Sequence, residues 1–258
     1  MALTTDIKAY YKLDESSGNA ADATGNGNTL TNNNTALYGP GIINNGVVAT
    51  SVGPQYLSIG STLGISDGTD FTITGWFNIA SFATGDQALW DLGFTATSYT
   101  QNAIRVNGST IKYDRGRRCV AQQHVDYSTT INTGTWYFVC QTFTASSSTV
   151  KGFLNASEVA SSVLSGIGSN GCAPTAHFFI GQDGDFTNCN ATIDEVGVWN
   201  RVLTGPEITQ LYNGGAGLQY PFTAGPTNVK TWNGLAFASV KTINGLATGS
   251  IKTVNGLG

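Results

Sequence analysis

Apolar and polar residues alternate along most of this chain in short runs, and turn-forming residues bound each run. Such alternation is typical of β-strands with one buried face, because successive side chains of a strand point to opposite faces. The runs lie at residues 7–13, 47–50, 55–59, 71–79, 103–107, 135–143, 149–155 and 176–182. Many short strands separated by turns rich in Gly, Asn, Ser and Thr predict an all-β protein, built as an antiparallel sandwich or jelly roll.

The stretch 191–204 closes this series of strands and leads into a short helix. Its apolar residues predict a strand that ends in a tight turn. Thr204 and Glu207 have the spacing of a capping box, and Pro206 falls in the first helical turn, where its missing N–H is tolerated. The predicted helix ends at Gly214, because glycine readily adopts the backbone conformation that stops a helix.

Composition and charge exclude several classes of protein. The chain has 258 residues, of which 40% are hydrophobic, enough for one large domain with a buried core. Its net charge of −4 gives no basic field for nucleic acid. No apolar stretch approaches the ~20 residues that cross a membrane. Residues 1–6 lack the features of a signal peptide. We expect an extracellular or virion protein, whose signal has been removed or which reaches its place without conventional secretion.

The four cysteines are Cys119, Cys140, Cys172 and Cys189. None forms a CxxC pair, so a structural zinc site is disfavoured. Three disulfide pairings are formally possible. If the strands that flank them form a hairpin, Cys172 and Cys189 lie roughly 15–20 Å apart, which counts against that pairing. Cys140 falls in an apolar strand and is predicted to be a small buried residue.

The chain offers little for hydrolytic catalysis. His177 lies in a predicted strand next to two phenylalanines, where a structural role is expected, and no G-x-S-x-G motif is present. Retaining glycosidases need two carboxyl groups about 5 Å apart in a cleft. No strand here carries alternating acids, and the nearest pair, Asp183 and Asp185, falls in a predicted turn. We therefore expect a protein that is not an enzyme. The alternative is a glycosidase whose two carboxylates come from separate strands.

Four blocks of sequence resemble, in the same order, the laminin G-like domains of the concanavalin A-like lectin/glucanase superfamily. Residues 10–28 resemble the family's opening strand and loop, and 71–77 (FTITGWF) resemble its FTISAW strand. Residues 133–139 resemble its W-x-x-V strand, and 193–204 (IDEVGVWNRVLT) resemble its closing IDEVRIYNRALT motif. The resemblance covers about residues 6–222 and implies a concanavalin A-like jelly roll with one short C-terminal helix. The tryptophans expected in the core are Trp76, Trp90, Trp136 and Trp199.

A calcium site is the favoured interpretation of the opening loop. Asp22, Asn26 and Asn28 supply carboxylate and amide oxygens, and calcium prefers six to eight oxygen ligands. The resemblance implies that this loop lies close to the closing motif, whose Asp194 would add a second carboxylate. Asp14 is a further possible ligand. The alternative is a network of turns held by Asp and Asn side chains, without a metal.

The segment 113–127 departs most from the family pattern and is the candidate ligand-binding segment. It holds three of the chain's five arginines, and an arginine fork beside tyrosine and histidine suits carboxylated or sulfated sugars. The residues predicted to bind are Arg115, Arg117, Arg118, His124 and Tyr127. The alternative is a solvated hairpin whose own Asp114 and Asp126 neutralise the arginines.

Residues 223–258 form a separate tail with an 11-residue repeat. Each unit is a short β-prone run followed by Asn-Gly, which predicts a tight hairpin. Lys230, Lys241 and Lys252 give the tail a charge of +3, whereas the remaining 9 basic and 16 acidic residues give −7. A tail this short buries little core alone, so we expect it to attach the domain 1–222 to other subunits or to make it oligomerise.

These observations predict a lectin-like recognition or adhesion module without enzymatic activity. Its expected partners are a surface glycan or protein and, through the tail, other subunits of a phage virion or an extracellular appendage. The first alternative is a purely structural virion decoration or fibre subunit without sugar binding. The second, a glycan-cleaving enzyme, is disfavoured.

Overall fold

The computed structural model describes residues 1–50, 55–66, 68–82, 85–94, 100–108, 110–117, 124–164, 176–182 and 187–222, and the tail residues 231–232, 235–236, 242–243 and 246–247. The strands and the helix are, in chain order, β1 Ile7–Tyr11, β2 Thr31–Asn33, β3 Leu37–Pro40, β4 Asn45–Ala49, β5 Tyr56–Ile59, β6 Phe71–Ile79, β7 Gln87–Phe94, β8 Thr100–Asn107, β9 Thr110–Arg117, β10 His124–Ser128, β11 Trp136–Thr144, β12 Thr149–Leu154, β13 Ser157–Val163, β14 Ala176–Ile180, β15 Thr187–Asn188, β16 Ala191–Trp199, α1 Gly205–Tyr212, β17 Thr231–Trp232, β18 Leu235–Ala236, β19 Thr242–Ile243 and β20 Leu246–Ala247.

Two eight-stranded sheets pack face to face and enclose the main core. The first sheet has the order β13-β12-β11-β6-β16-β4-β3, and β1 also pairs with β16. The second sheet has the order β10-β9-β8-β7-β14-β5-β2, and the short β15 pairs in parallel with β7. The other strand pairs are antiparallel, as in the jelly-roll sandwich that the sequence predicts.

The closing strand β16 lies at the centre of the first sheet. One edge pairs with β6, and the opposite edge pairs first with β4 and then with β1. A β-bulge between Asp194 and Gly197 coincides with this change of partner, and Glu195 in the bulge has a left-handed φ of 52°. Because a bulge breaks the alternation of side chains, both Asp194 and Glu195 are buried.

Aromatic rings fill the core between the two sheets. Tyr11 stacks on Phe178 with ring centroids 5.9 Å apart. Trp90 is fully buried, which confirms its predicted core position. Its ring lies directly over Gly75, where a Cβ atom would come within 2.8 Å of the indole. Glycine at this position therefore allows the two sheets to approach each other around Trp90.

A second apolar cluster lies on the other face of the first sheet, beneath α1. Trp76 and Trp199 belong to it and are 2% and 0% exposed, which confirms their predicted core positions. Trp76 stacks on Tyr212 of the helix with ring centroids 5.7 Å apart. Trp136 is half-buried and packs against the same cluster.

The helix begins with the predicted capping box, which is tied to the start of the chain. The backbone N–H of Thr204 donates to the Glu207 carboxylate at 2.8 Å. Arg201 donates to both carboxylate oxygens of Glu207, at 2.9 and 2.7 Å. It also donates to the carbonyl oxygens of Thr5 and Ala2, at 3.0 and 3.1 Å. One buried arginine thus connects the N-terminal segment, the end of β16 and the helix.

Two of the four cysteines lie in the described part of the chain. Cys140 and Cys189 are free and buried, as expected for Cys140. Cys119, Cys172 and the turn 183–185 lie outside the described residues. Within the described ranges, no helix has the length and apolar character needed to cross a membrane.

Two tail hairpins are described by their paired strands. In the first, Trp232 opposes Leu235, and in the second, Ile243 opposes Leu246. The residues between the paired strands are Asn-Gly in both units, as predicted for two-residue hairpins. The third repeat lies outside the described residues.

Candidate functional site

The side of the second sheet that points away from the main core carries an unusual set of polar and aromatic residues. Side chains alternate along each strand, so the neighbours of the buried core residues Trp90, Ile104 and Phe178 lie on this side. We call it the outer face. Its residues are Tyr56, Ser58, Asp91, Ala103, Arg105, Lys112, Asp114, His177 and Phe179.

The strand register aligns several of these residues in one row. Asp114 opposes Ala103, Ala103 opposes Asp91, Asp91 opposes Phe179, and Phe179 opposes Ser58. The row crosses four strand spacings, roughly 19 Å. Asp114, Ala103 and Asp91 are 6%, 0% and 3% exposed, whereas Phe179 and Ser58 are half-buried. The row is therefore accessible to a ligand at its Phe179 end.

An aromatic pair and a fixed histidine adjoin the row at Phe179. The rings of His177 and Phe179 stack with centroids 4.4 Å apart, and Tyr56 meets Phe179 edge-on at 5.5 Å. His177 is only 6% exposed, whereas Phe179 and Tyr56 are half-buried. Asp91 Oδ2 lies 3.3 Å from His177 Nε2. A carboxylate only accepts hydrogen bonds, so this contact places the proton of the neutral ring on Nε2 and leaves Nδ1 as an acceptor.

Ion pairs occupy the charged groups in another part of the outer face. Arg105 is 2% exposed and forms an ion pair with the buried Asp114. Lys112 lies 3.0 Å from Asp86 at the start of β7. Burial opposes ionisation of Asp86, but hydrogen bonds from Lys112 and Asn107 outweigh it and lower its pKa. These cations stabilise carboxylates of the protein itself.

Arg115, predicted to bind a ligand at the surface, lies inside the sandwich. It is 1% exposed, its guanidinium lies 3.6 Å from the ring centroid of Phe143, and it donates to the Asn102 side chain. The expectation of an exposed arginine at 115 is therefore wrong. The reason is strand alternation: Arg115 shares the inward side of β9 with the buried Tyr113.

The other predicted ligand-binding residues do not form one described cluster. Tyr127 is half-buried and packs against the main core. Arg117 ends β9, and Arg118 lies outside the described residues. His124 begins β10 and opposes Asp114 in the backbone register.

The predicted calcium loop is held by hydrogen bonds from its own donors. Asp22 accepts from the backbone N–H groups of Tyr10, Thr24 and Asn28, at 3.0–3.2 Å. The side-chain amides of Asn26 and Asn28 donate to the carbonyl oxygen of Lys8, at 3.1 and 2.8 Å. These hydrogen bonds hold the loop as a network of turns built on Asp and Asn side chains.

Asp194, the fourth predicted calcium ligand, lies away from this loop. Asp22 pairs with the edge of β1 that faces away from β16, so roughly two strand spacings, about 10 Å, separate its backbone from β16. The described residues contain no group of three or more His, Cys, Asp or Glu that could hold a metal ion.

Asp194 belongs instead to a buried acidic network that the sequence did not predict. It accepts from the backbone N–H groups of Ile43 and Glu195, at 3.0 and 2.8 Å. Gln219 donates to both Glu195 and Asp14, at 2.7 and 2.8 Å. Burial raises the pKa values of Asp194 and Glu195, and the charge of Glu195 raises that of Asp194 further. This network connects the opening loop, β16 and residues 218–222.

Comparison with known proteins agrees with this architecture. A family model described as the concanavalin A-like lectin/glucanases superfamily matches residues 52–209, more than half of the chain. No curated protein matches the chain.

Three solved structures illustrate the likeness. The binding domain of Paraclostridial Mosquitocidal Protein 1 has a TM-score of 0.65 and 15% identity, covering 82% of this chain and 53% of its own. The botulinum neurotoxin serotype D binding domain has a TM-score of 0.64 and 12% identity, with coverages of 82% and 52%. Domain 4 of AbnA, a GH43 extracellular arabinanase from Geobacillus stearothermophilus solved with arabinotriose, has a TM-score of 0.59 and 18% identity, with coverages of 79% and 97%.

The chain thus spans about half the length of the two toxin binding domains and nearly all of the arabinanase domain. At these identities the likeness concerns the fold. Together, the two-sheet sandwich, the closing strand with its capped helix and the match of the family model show that the chain belongs to the concanavalin A-like lectin/glucanase superfamily, as a laminin G-like jelly-roll domain.

Proposed function

We propose that this chain is a non-enzymatic carbohydrate-binding module whose ligand contacts the outer face of the second sheet at Phe179 and Tyr56. The observation that supports this most is the half-buried pair of Phe179 and Tyr56, with the fixed His177 stacked on Phe179 and held by Asp91. Binding sites for small ligands combine aromatic surface with a few fixed polar groups. The titles of the similar structures, which name binding domains and one complex with arabinotriose, favour the same class of function.

A glycan array with the purified chain tests whether it binds sugars, and a variant tests where. Phe179→Ala removes the ring that contacts both His177 and Tyr56. We expect it to weaken binding roughly three- to tenfold, since an aromatic contact contributes about 0.5–1.5 kcal/mol. Leu37→Ala is the matched control, because Leu37 is 62% exposed on β3 of the first sheet. Equal binding by both variants would contradict the proposed location.

The arrangement of carboxylates favours binding over glycoside cleavage. Asp114 and Asp91 lie on β9 and β7 with β8 between them, which resembles the wide spacing of inverting glycosidases. A general acid must contact the leaving group, whereas Asp114 is 6% exposed and engaged in an ion pair with Arg105. Release of reducing ends from a polysaccharide panel would contradict a non-enzymatic function.

We also propose that the tail attaches the module to an assembly, such as a phage virion or an extracellular appendage. The support is the identical register of the two described hairpins, each with an apolar cross-strand pair next to the Asn-Gly residues. Two-residue hairpins have little stability alone, so neighbouring copies would complete them. A chain ending at residue 222 should keep its melting temperature and lose self-association. An unchanged molecular mass in solution would contradict this role of the tail.

A further inference from the structure

The outer face continues beyond Phe179 onto the edge strand β2. Phe179 opposes Ser58 on β5, and Ser58 opposes Thr31 on β2. Tyr56 opposes Asn33 in the same antiparallel pair of strands. Opposing residues share one face of a sheet, so Thr31 and Asn33 lie on the same face as the aromatic pair. Thr31 is exposed and the other four residues are half-buried, so a ligand at Phe179 and Tyr56 can also reach β2.

The side-chain amide of Asn33 has a fixed orientation. Its Nδ2 donates to the carbonyl oxygen of Thr31 at 3.0 Å and to Ser58 Oγ at 2.8 Å. A carbonyl oxygen only accepts hydrogen bonds, so the contact with Thr31 decides which end of the amide is the nitrogen. No described donor reaches Asn33 Oδ1, and the buried side-chain atoms without a partner do not include it. Asn33 Oδ1 is therefore an acceptor that is open to solvent and held in place by its own amide.

Ser58 supplies the complementary donor. Its Oγ accepts from Asn33, and a hydroxyl group has one proton that rotates to suit a further partner. The acceptor on Asn33 and the donor on Ser58 are joined by a single hydrogen bond, which brings them within reach of two hydroxyl groups of one sugar ring. A pair of hydroxyls on neighbouring carbons matches them when one hydroxyl donates to Asn33 and the other accepts from Ser58.

We propose that Asn33 Oδ1 and Ser58 Oγ bind a pair of hydroxyl groups on neighbouring carbons of the sugar ring that packs on Phe179 and Tyr56. This inference rests on the proposed function and narrows the ligand to glycans in which the bound unit carries an unsubstituted diol. It also makes the edge strand β2 a part of the site. Because the Asn33 amide is fixed before binding, little side-chain entropy is lost when a hydroxyl donates to it.

Three alanine variants test the two hydrogen bonds. Asn33→Ala removes the acceptor and Ser58→Ala removes the donor, while Asn78→Ala is the matched control, because Asn78 is a half-buried asparagine on β6 of the first sheet. Isothermal titration calorimetry uses lactose, cellotriose and arabinotriose as probes. We expect Asn33→Ala and Ser58→Ala each to bind roughly three- to tenfold more weakly than the wild type, the effect of one lost hydrogen bond. Asn78→Ala should bind as the wild type does.

Monodeoxy analogues of the tightest-binding probe distinguish direct contact from support of the fold. The analogue without the hydroxyl that donates to Asn33 should bind the wild type roughly three- to tenfold more weakly, and Asn33→Ala should weaken its binding no further. Ser58→Ala should show the same coupling to the hydroxyl on the neighbouring carbon. The analogues also probe the wild type itself, so the test does not depend on the folding of a variant, which melting temperatures monitor.

The outcomes separate this inference from the proposed function. If folded Asn33→Ala and Ser58→Ala variants bind a probe as the wild type does while Phe179→Ala weakens binding, the inference is wrong and the binding function stands. Wild-type binding that no single deoxygenation weakens would also overturn the inference, as would coupling of the two residues to hydroxyls on distant carbons. Failure of every probe and every sugar of the array to bind would overturn both the inference and the proposed function.

Discussion

Arg201 offers the sharpest structural test of the closing motif. It is 8% exposed and makes two hydrogen bonds to Glu207 and two to the carbonyl oxygens of Ala2 and Thr5. Arg201→Ala leaves the buried Glu207 carboxylate without its cation. Removing one partner of a buried ion pair costs about 3–5 kcal/mol. For a domain of this size we expect the melting temperature to fall by about 10 °C.

The matched control is an exposed ion pair. Lys151 lies 2.8 Å from Glu158, with side chains 42% and 43% exposed. Lys151→Ala should cost about 0–1 kcal/mol, because water and salt already screen such a pair. Urea unfolding followed by tryptophan fluorescence measures both variants. Equal losses for Arg201→Ala and Lys151→Ala would refute the claim that burial makes the Arg201–Glu207 pair important.

The same pair gives a pH dependence with a defined sign. Burial pushes the pKa of Glu207 upward, but hydrogen bonds from Arg201 and Thr204 outweigh it and lower the pKa to about 2. The resulting stability is present above the unfolded pKa of about 4.3 and is lost as pH falls toward 2. We expect Glu207→Gln to be less stable at pH 6 and to lose less stability than the wild type on acidification. Parallel acid curves for the two proteins would contradict this.

Three further predictions concern the core, the acidic network and the opening loop. Gly75→Ala should cost about 1–3 kcal/mol through overlap with Trp90, whereas Gly205→Ala, in open space at the helix start, should not destabilise the protein in urea unfolding. Burial raises the pKa values of Asp194 and Glu195. Their contribution to the free energy of unfolding should therefore decrease as pH rises above 4. Thermal melts of the wild type and of Glu195→Gln from pH 5 to 9 measure this, and a stability difference in favour of the wild type that grows with pH would contradict it. Asp22→Ala should lower the free energy of unfolding by about 1–3 kcal/mol, because it leaves backbone N–H donors unpaired. The loss should be equal in calcium and in chelator. A loss of stability seen only in calcium would support a calcium site in this loop.

The fold could be predicted from local sequence patterns because its elements depend on nearby residues. Alternation along 71–79 and 135–143 predicted β6 and β11, and the spacing of Thr204 and Glu207 predicted the cap of α1. These patterns reflect strand geometry and unpaired helix N–H groups, which do not depend on distant parts of the chain.

The candidate site could not be predicted because it depends on pairing between distant strands. Asp91, Ala103 and Phe179 become neighbours through the register of β7, β8 and β14, which one sequence does not fix. Apolar alternation around Asp91 and Phe179 was the available signal, since it places both residues opposite the core. The bulge at Glu195 breaks the alternation of side chains, so the burial of both Asp194 and Glu195 could not be predicted from the sequence either.

Amide chemical-shift mapping by NMR, with the tightest-binding oligosaccharide from the array, locates the glycan site most directly. We expect the largest shifts on β5, β7 and β14, around Tyr56, Asp91 and Phe179, and little change on α1 and the first sheet. Shifts concentrated on α1 or the first sheet, with β7 and β14 unchanged, would contradict a glycan site on the outer face of the second sheet.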